Sequence, residues 1–552
     1  MKTLSFNSHR SPVYSRAGIV ATSQPLATAA GLEILAKGGN AADAAVAAGA
    51  ALNVTEPTST GIGGDMFALY YSADTKRVTA LNGSGRAPAA LTLDRLKKEG
   101  ISTELPPFHV HTVTVPGACA GWFDLIEKHG SLPMEQILAP AIRLAQEGFP
   151  VAPITSYSWQ RGAQNQLKSA PNGQELTVDG RGPKPGEIFR NPGLACTFEI
   201  VARGGQSAFY QGEIGEAIVA VIKEAGGCMS LEDLASHTST SEEPISVTYR
   251  GLRVYECPPN GQGITALIAL NILEGFDLSS IASISTARLH LMIEAMRLAF
   301  ADSRWYVADP AFSSIPLQEL LSKGYASERR KLIDLKLATI DPKRGTPVSS
   351  SDTVYLSVVD KSGNACSFIN SNYWGFGTGI VPKGYGFTLQ NRGHNFSLDP
   401  NHPNALAPRK RPYHTIIPAM VTRPPSPAGR GDGGEGETLY ASYGVMGGFM
   451  QPQGHVQVLS ALVDDGLDPQ AALDLPRFCI DVEGSGGRVA LEEGIPADVM
   501  SDLERMGHPV YLVSGYDRSL FGRGQVILRD AETEVLVAGS DPRADGCAMT
   551  LV

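Results

Sequence analysis

Three places in the chain carry reactive side chains at spacings that chemistry could use. His109-Val110-His111 sets two imidazoles where they could ligate a metal, and Asn82-Gly83-Ser84-Gly85 holds a serine among glycines. Thr353 heads a β-forming run, directly behind the polar stretch LATIDPKRGTPVSSSD (residues 337–352). No third ligand lies near the two histidines, so an HxH at a strand head reads as structural. The serine lacks the first glycine of a nucleophile elbow, and HExxH and GxxxxGK[ST] patterns are absent. The other histidines are dispersed and suggest no further cluster. By residue type alone Thr353 is an ordinary β-former at a strand edge. Its hydroxyl becomes a nucleophile only where a base can take its proton.

The surrounding elements narrow the choice. Residues 19–54 predict a helix through Leu26, Ala30, Ile34 and Leu35, stopped by Gly38-Gly39, then a second helix N-capped by Asn40. The loop EPTSTGIGGD (56–65) leads into the strand MFALYY. Helix, glycine loop, strand is the reverse of the dinucleotide-binding order. Residues 111–149 predict a strand and two helices, and residues 196–302 are mostly helical around a strand pair near 245–257. Residues 285–303 carry the pattern of an amphipathic helix. The first 335 residues are therefore expected to be helix-rich with few strands. TVYLSVVDKSGNACSFIN (353–370) predicts a hairpin, followed by strands at 384–391, 414–421 and 438–445, a helix at 454–466 and strands near 509–551. Residues 423–437 are a low-complexity surface connection.

Composition excludes several classes. The chain has 552 residues with 46 basic and 56 acidic side chains, a formal charge of −10, which argues against a nucleic-acid partner. Hydrophobic residues at 43% supply a large core, and 60 glycines imply tight turns and close backbone approach. No apolar run reaches the ~18 residues of a membrane span, so no membrane partner is expected. The start MKTLSFNSHRSPVYS lacks the apolar core of a secretory signal. Seven scattered cysteines without a CxxC pair fit neither a disulfide framework nor a zinc site, so a reducing cytoplasm is the expected compartment.

The blocks EPTSTGIGGDMF, APAALTLDRL, VTVPGACAGW, APAIRLAQEGF, DTVYLSVVDKSGNA, GFGTGIV, APRKRPYHTIIPAMV, YGVMGG and GSDPRADG, in that order, resemble the γ-glutamyltranspeptidase family of N-terminal-nucleophile hydrolases. The resemblance runs from about residue 15 to the end. It implies an α+β fold, a four-layer αββα sandwich, and a precursor that cuts itself between Asp352 and Thr353. The helix-rich piece 1–352 and the β-rich piece 353–552 would stay together as a heterodimer, itself alone or paired with a second copy. Cleavage would free the α-amine of Thr353, whose pKa near ~7.7–8 makes it a base at neutral pH. The implied reaction is acyl transfer from a small-molecule amide, with no cofactor or metal. Ser371 takes the place of the family's hydroxyl beside the nucleophile, and Gly447-Gly448, between strand and helix, that of its oxyanion-binding pair.

Against this, the residues that would hold substrate depart from the family. The family's arginine for the substrate α-carboxylate falls on Ser84, with Arg86 two places on. Its acidic residue falls on Asn395, its asparagine on Tyr373, its glutamine on Arg392, and its paired serines on His414 and Thr415. Adding Arg392 and losing an acid shifts the expected pocket toward anions lacking an α-amine. Three readings follow from the resemblance: γ-glutamyl hydrolysis or transfer, an amidase or acylase for a glutaryl- or oxamate-type acyl group, and an inactive binding relative.

Overall fold

The computed structural model describes residues 10–340, 342, 354–425, 436–481 and 487–552. Asp352 and Thr353, most of the segment 337–352, and much of 423–437 lie outside the described residues.

Two seven-stranded sheets form the centre. One runs, in spatial order, through Val13–Ser15, Leu536–Ser540, Arg523–Arg529, Thr438–Met446, Ala419–Arg423, Leu252–Glu256 and Ile245–Tyr249. The other runs through Cys547–Thr550, Gly18–Thr22, Val354–Asp360, Ala365–Ser371, Asp65–Ser72, Arg77–Gly83 and Thr240–Glu242. Every pairing within them is antiparallel. The sheets pack face to face: the Ser357 and Ser442 hydroxyls meet at 2.7 Å, and Gly444 lies so close to the Tyr355 ring that a Cβ there would clash. Sheets whose two faces are both covered need layers of helix outside. Helices Pro25–Ala36 and Ala41–Thr55 cover the second sheet, with Gly49 flat against Phe368. Helices Gly263–Leu273 and Met450–Val463 cover the first, with Gly454 against Val445. The result is the expected αββα sandwich, with one apolar core running from between the sheets to the helices over the second sheet and another under the helices over the first.

Several local expectations hold for local reasons. Asn40 caps Ala41–Thr55 through a reciprocal bond pair with Asp43, which the dipole also favours at that end. The hairpin Val354–Asp360/Ala365–Ser371 is paired through Val354 and Asn370, with Asp360 accepting from Ser362 and Asn364 to close its turn.

Others are corrected. Residues 111–115 form no strand: Val110–Thr112 is a single 3₁₀ turn held by the Thr112 hydroxyl on the His109 carbonyl. Residues 384–391 form no strand either, because Gly384 and Gly386 take φ of +85° and +65° and the Gln390 N–H goes to the Gly63 carbonyl. At 414–421 the strand begins only at Ala419, since Ile416 and Ile417 N–H groups bond the His414 and Gln451 side chains. Thr286–Tyr306 is not amphipathic but buried around almost its whole girth, Arg288, His290, Glu294 and Arg297 included. Nor is the first piece poor in sheet: residues before 340 supply seven of the fourteen central strands and residues after 353 the other seven. Neither sheet is complete without both halves of the chain.

Candidate active site

The site forms where strands from both sheets end together. Val354 starts one central strand opposite Asn370, and Ser371 ends the next strand opposite Asp65. Met446, paired with Arg523, ends a strand of the other sheet, and Gly447-Gly448 follow it. This end of the sandwich gathers most of the residues singled out from sequence, brought together from positions up to several hundred apart.

Ser371 is fully buried, and its Oγ accepts from the Tyr373 N–H at 2.9 Å and from Arg392 Nη2 at 3.2 Å. Both acceptor positions are then used, so the hydroxyl proton is what Ser371 has to donate. Arg392 sits in the 3₁₀ turn Arg392–Asn395, also fully buried. Its Nη1 donates to Thr415 Oγ1 at 2.6 Å and its guanidinium lies 4.4 Å over the Tyr373 ring. Its Nε meets no partner among the described residues. Burial pulls the Arg392 pKa down to about 10, opposed by the Asp65 charge, and the group stays cationic at neutral pH.

Asp65, absent from the sequence-based set, organises the floor. Its Oδ1 accepts from the Gly85 N–H at 2.8 Å, the Gly117 N–H at 3.2 Å and Gln390 Nε2 at 3.0 Å. Its Oδ2 accepts from His414 Nε2 at 3.0 Å. Burial alone would raise its pKa, but the bonds from His414 and the nearby Arg392 charge more than offset that and hold it below the usual range. His414 stacks on Phe67 with ring centres 4.7 Å apart, and its Nδ1 accepts from the Ile416 N–H. A ring that accepts at one nitrogen and donates at the other is neutral. Burial, with help from the Arg392 charge, pulls its pKa to about 3.

Asn395 is committed within the protein: Oδ1 accepts from the Tyr373 hydroxyl at 2.5 Å and Nδ2 donates to the Tyr413 carbonyl at 3.1 Å. Tyr373, at φ +81°, is thereby fixed under Arg392. Arg86 stands apart from this cluster. Its guanidinium's hydrogen bond goes to the Thr238 carbonyl at 3.3 Å, a carbonyl that the buried Arg411 also reaches. Ser84 is buried and bonded to Asn82.

Gly447 and Gly448 take φ of +133° and +59°, conformations that glycine adopts without strain. The Gly447 carbonyl accepts from the Met450 N–H, and the Gly448 carbonyl from the Gln451 N–H and Gln262 Nε2 at 2.8 Å. With both carbonyls turned toward the helix, the N–H groups are what this loop offers the cleft that Gly447 lines. Gln262 had no signal in sequence beyond its Gly-rich surroundings. Its amide donates to both the Thr415 and Gly448 carbonyls, at 2.7 and 2.8 Å, and accepts from the Tyr413 hydroxyl at 3.1 Å. It is a positioning residue that ties the Arg392 partner to the Gly-Gly loop. Gln262→Met keeps the volume and loses both donors; kcat is expected to fall about tenfold to a hundredfold with KM changed less than threefold, in steady-state assays.

The HxH pair is structural: His111 Nε2 bonds Glu99 at 2.7 Å and His109 Nδ1 accepts from the His111 N–H. The histidines do form one further cluster, contrary to the sequence expectation. His290, Glu294 and His508 bring ligand-type atoms within 4.8 Å of one another, 218 residues apart along the chain at the extremes. Arg297 Nη1 bonds both Glu294 and His508, so a cation already sits among them.

The stacked sheets between helical layers and the hydroxyl-rich strand end define an N-terminal-nucleophile hydrolase sandwich. The family profile described as Gamma-glutamyltranspeptidase matches residues 27–551. The chain is 39% identical to the "Glutathione hydrolase-like YwrD proenzyme" of Bacillus subtilis, over 95% of this chain and 96% of that protein. It is 33% identical to the "Acylase ACY 1 proenzyme" of Pseudomonas sp. strain SE83, over 92% and 89%. The crystal structure of cephalosporin acylase from Bacillus halodurans superposes with a TM-score of 0.90 at 45% identity, covering 100% of this chain and 98% of that one. The chain belongs to the γ-glutamyltranspeptidase family, and it is an enzyme of that hydrolase class.

Proposed function

We propose that the chain cuts itself between Asp352 and Thr353 and, so matured, hydrolyses amides whose acyl group ends in a carboxylate and carries no α-amine. Thr353 Oγ attacks the amide carbonyl while its own α-amine takes the hydroxyl proton. The Gly447 and Gly448 N–H groups receive the developing oxyanion, and the Ser371 proton supports the nucleophile. The amine leaves with a proton returned from the α-ammonium, and water then attacks the ester to release the acid.

The observation that carries the acyl preference is Arg392. It is a fully buried guanidinium at the strand end, with Nε unpartnered among the described residues. A desolvated cation of this kind is matched by a substrate carboxylate. Among the described residues no acid stands ready for an ammonium: Asp65 already accepts from four donors, and Asn395 is neutral and engaged. A second reading, γ-glutamyl hydrolysis or transfer, is favoured by the name of the 39% identical relative. Seven free cysteines support a cytoplasmic location as part of the same proposal.

Mature protein is expected to release p-nitroaniline from glutaryl-p-nitroanilide with a kcat/KM at least tenfold above that for γ-glutamyl-p-nitroanilide, followed by absorbance. The reverse ratio gives the second reading.

A further inference from the structure

The nucleophile and the groups that receive the oxyanion belong to different sheets. Thr353 precedes Val354, which begins a strand of the second sheet, and Gly447 follows Met446, which ends a strand of the first. Backbone bonds tie the strands within a sheet, whereas the two sheets meet through side chains, as at Ser357 and Ser442. A shift of about 1 Å between reacting groups can cost on the order of a hundredfold in rate. The gap between the sheets therefore has to be held.

One run of side chains crosses it at the cleft end. Thr22 is paired with Leu356, so Ser23, the next residue, stands beside the start of the nucleophile's strand. The Ser23 hydroxyl donates to Glu56 Oε2 at 2.6 Å. Glu56 Oε1 accepts from Arg523 Nη1 at 2.7 Å and from the Ser59 hydroxyl at 3.1 Å, and Arg523 Nη2 donates to Ser59 Oγ at 3.3 Å. Arg523 pairs in the other sheet with Met446, the residue directly before Gly447. The backbones stay close beyond that pair: a Cβ on Gly447 would come within 3.2 Å of the Gly522 Cα. Ser23, Glu56, Ser59 and Arg523 are all buried, and Arg523 lines the cleft together with Gly447. Burial pushes the Glu56 carboxyl pKa up, and the Arg523 charge is the largest pull against it.

A buried ion pair adds little stability over apolar side chains of the same volume; what it can fix is geometry. Resting on the acyl-transfer reading above, we infer that Glu56 and Arg523 are positioning residues for the reaction: the Ser23–Glu56–Arg523 strap sets the distance between the strand headed by Thr353 and the Gly447-Gly448 loop. Cutting the strap moves the oxyanion donors relative to the nucleophile and leaves Arg392 and Thr415 holding the acyl group as before. The loss then falls on the transition state and not on ground-state binding.

Kinetics of the mature variants test this, on whichever of glutaryl- and γ-glutamyl-p-nitroanilide the unaltered enzyme turns over. Arg523→Met and Glu56→Gln are each expected to lower kcat about thirtyfold with KM changed less than threefold. The double variant is expected to lose no more than the worse single one, because one strap is cut either way. The free acid of the substrate used, glutarate or glutamate, is expected to bind within about threefold of its affinity for the unaltered enzyme, by calorimetric titration. Where Arg523→Met yields no soluble mature protein, Glu56→Gln, equal in size, is the deciding variant. An unchanged kcat, or kcat and acid binding lowered together, overturns the strap while acyl transfer stands. So does a double variant whose loss is the product of the two single losses. Unaltered protein that turns over neither anilide overturns the acyl-transfer reading, and the strap with it.

Discussion

Thr353→Ala is expected to run as one band near 58.4 kDa on a denaturing gel where the unaltered protein gives pieces of 352 and 200 residues. Turnover should fall by roughly four orders of magnitude or more. The size of the effect follows from the double use of one residue. Before cleavage the Thr353 nitrogen is an amide and cannot serve as a base; afterwards it is an amine with a pKa near ~8. Alanine removes the hydroxyl that would attack the peptide bond and, later, the substrate. Thr353→Ser keeps an oxygen nucleophile and should still yield two bands. The two roles can be separated. Each sheet draws strands from both sides of the cut, so residues 1–352 and a second chain starting at position 353 should assemble when produced together. With alanine first in that second chain the amine is present and the hydroxyl is not. Activity in that assembly would show that Thr353 is not the nucleophile.

What sequence reveals here follows the range of the interactions involved. The Asn40–Asp43 capping box and the turn closed by Asp360 use partners within four residues, so pattern alone finds them. The glycines at 447 and 448 are legible through the family resemblance, and the structure adds the reason glycine stands there, a positive φ at both positions of the corner. The polar floor is different in kind. Asp65 and His414 are 349 residues apart, and Gln262 and Gly448 are 186 apart. No periodicity encodes such pairs; only the convergence of strand ends creates them. The same holds for Thr286–Tyr306, whose charged positions suggest a solvent face. In the fold Arg288 and Arg297 find buried carbonyl and side-chain partners, so polarity gives no guide to exposure. Asn395 illustrates the same limit: its position matches a substrate ligand of the family, while the bonds of its amide to Tyr373 and Tyr413 emerge only from the fold.

Arg392→Gln should lower kcat/KM for glutaryl-p-nitroanilide about a hundredfold or more, equal to about 2.7 kcal/mol, while lowering it less than tenfold for the uncharged butyryl-p-nitroanilide. Loss of a buried donor that only held Ser371 and Thr415 in place would lower both alike, so the contrast isolates the acyl carboxylate as its partner. Lysine is no substitute: the planar group bridges Ser371 and Thr415 and stacks 4.4 Å over Tyr373, a geometry that a point charge on a flexible stem cannot reproduce. Stability should change little. In the absence of substrate the Arg392 charge is desolvated, with Nε unpartnered among the described residues, but it is also a nearby counter-charge of the buried Asp65. A neutral amide removes the first cost and takes the counter-charge from Asp65, so the two effects oppose and Tm is expected to shift by no more than a few degrees even as turnover collapses. A glutamine that lowered both Tm and activity on both anilides would mark Arg392 as a structural strut, and the carboxylate preference would then need another cation.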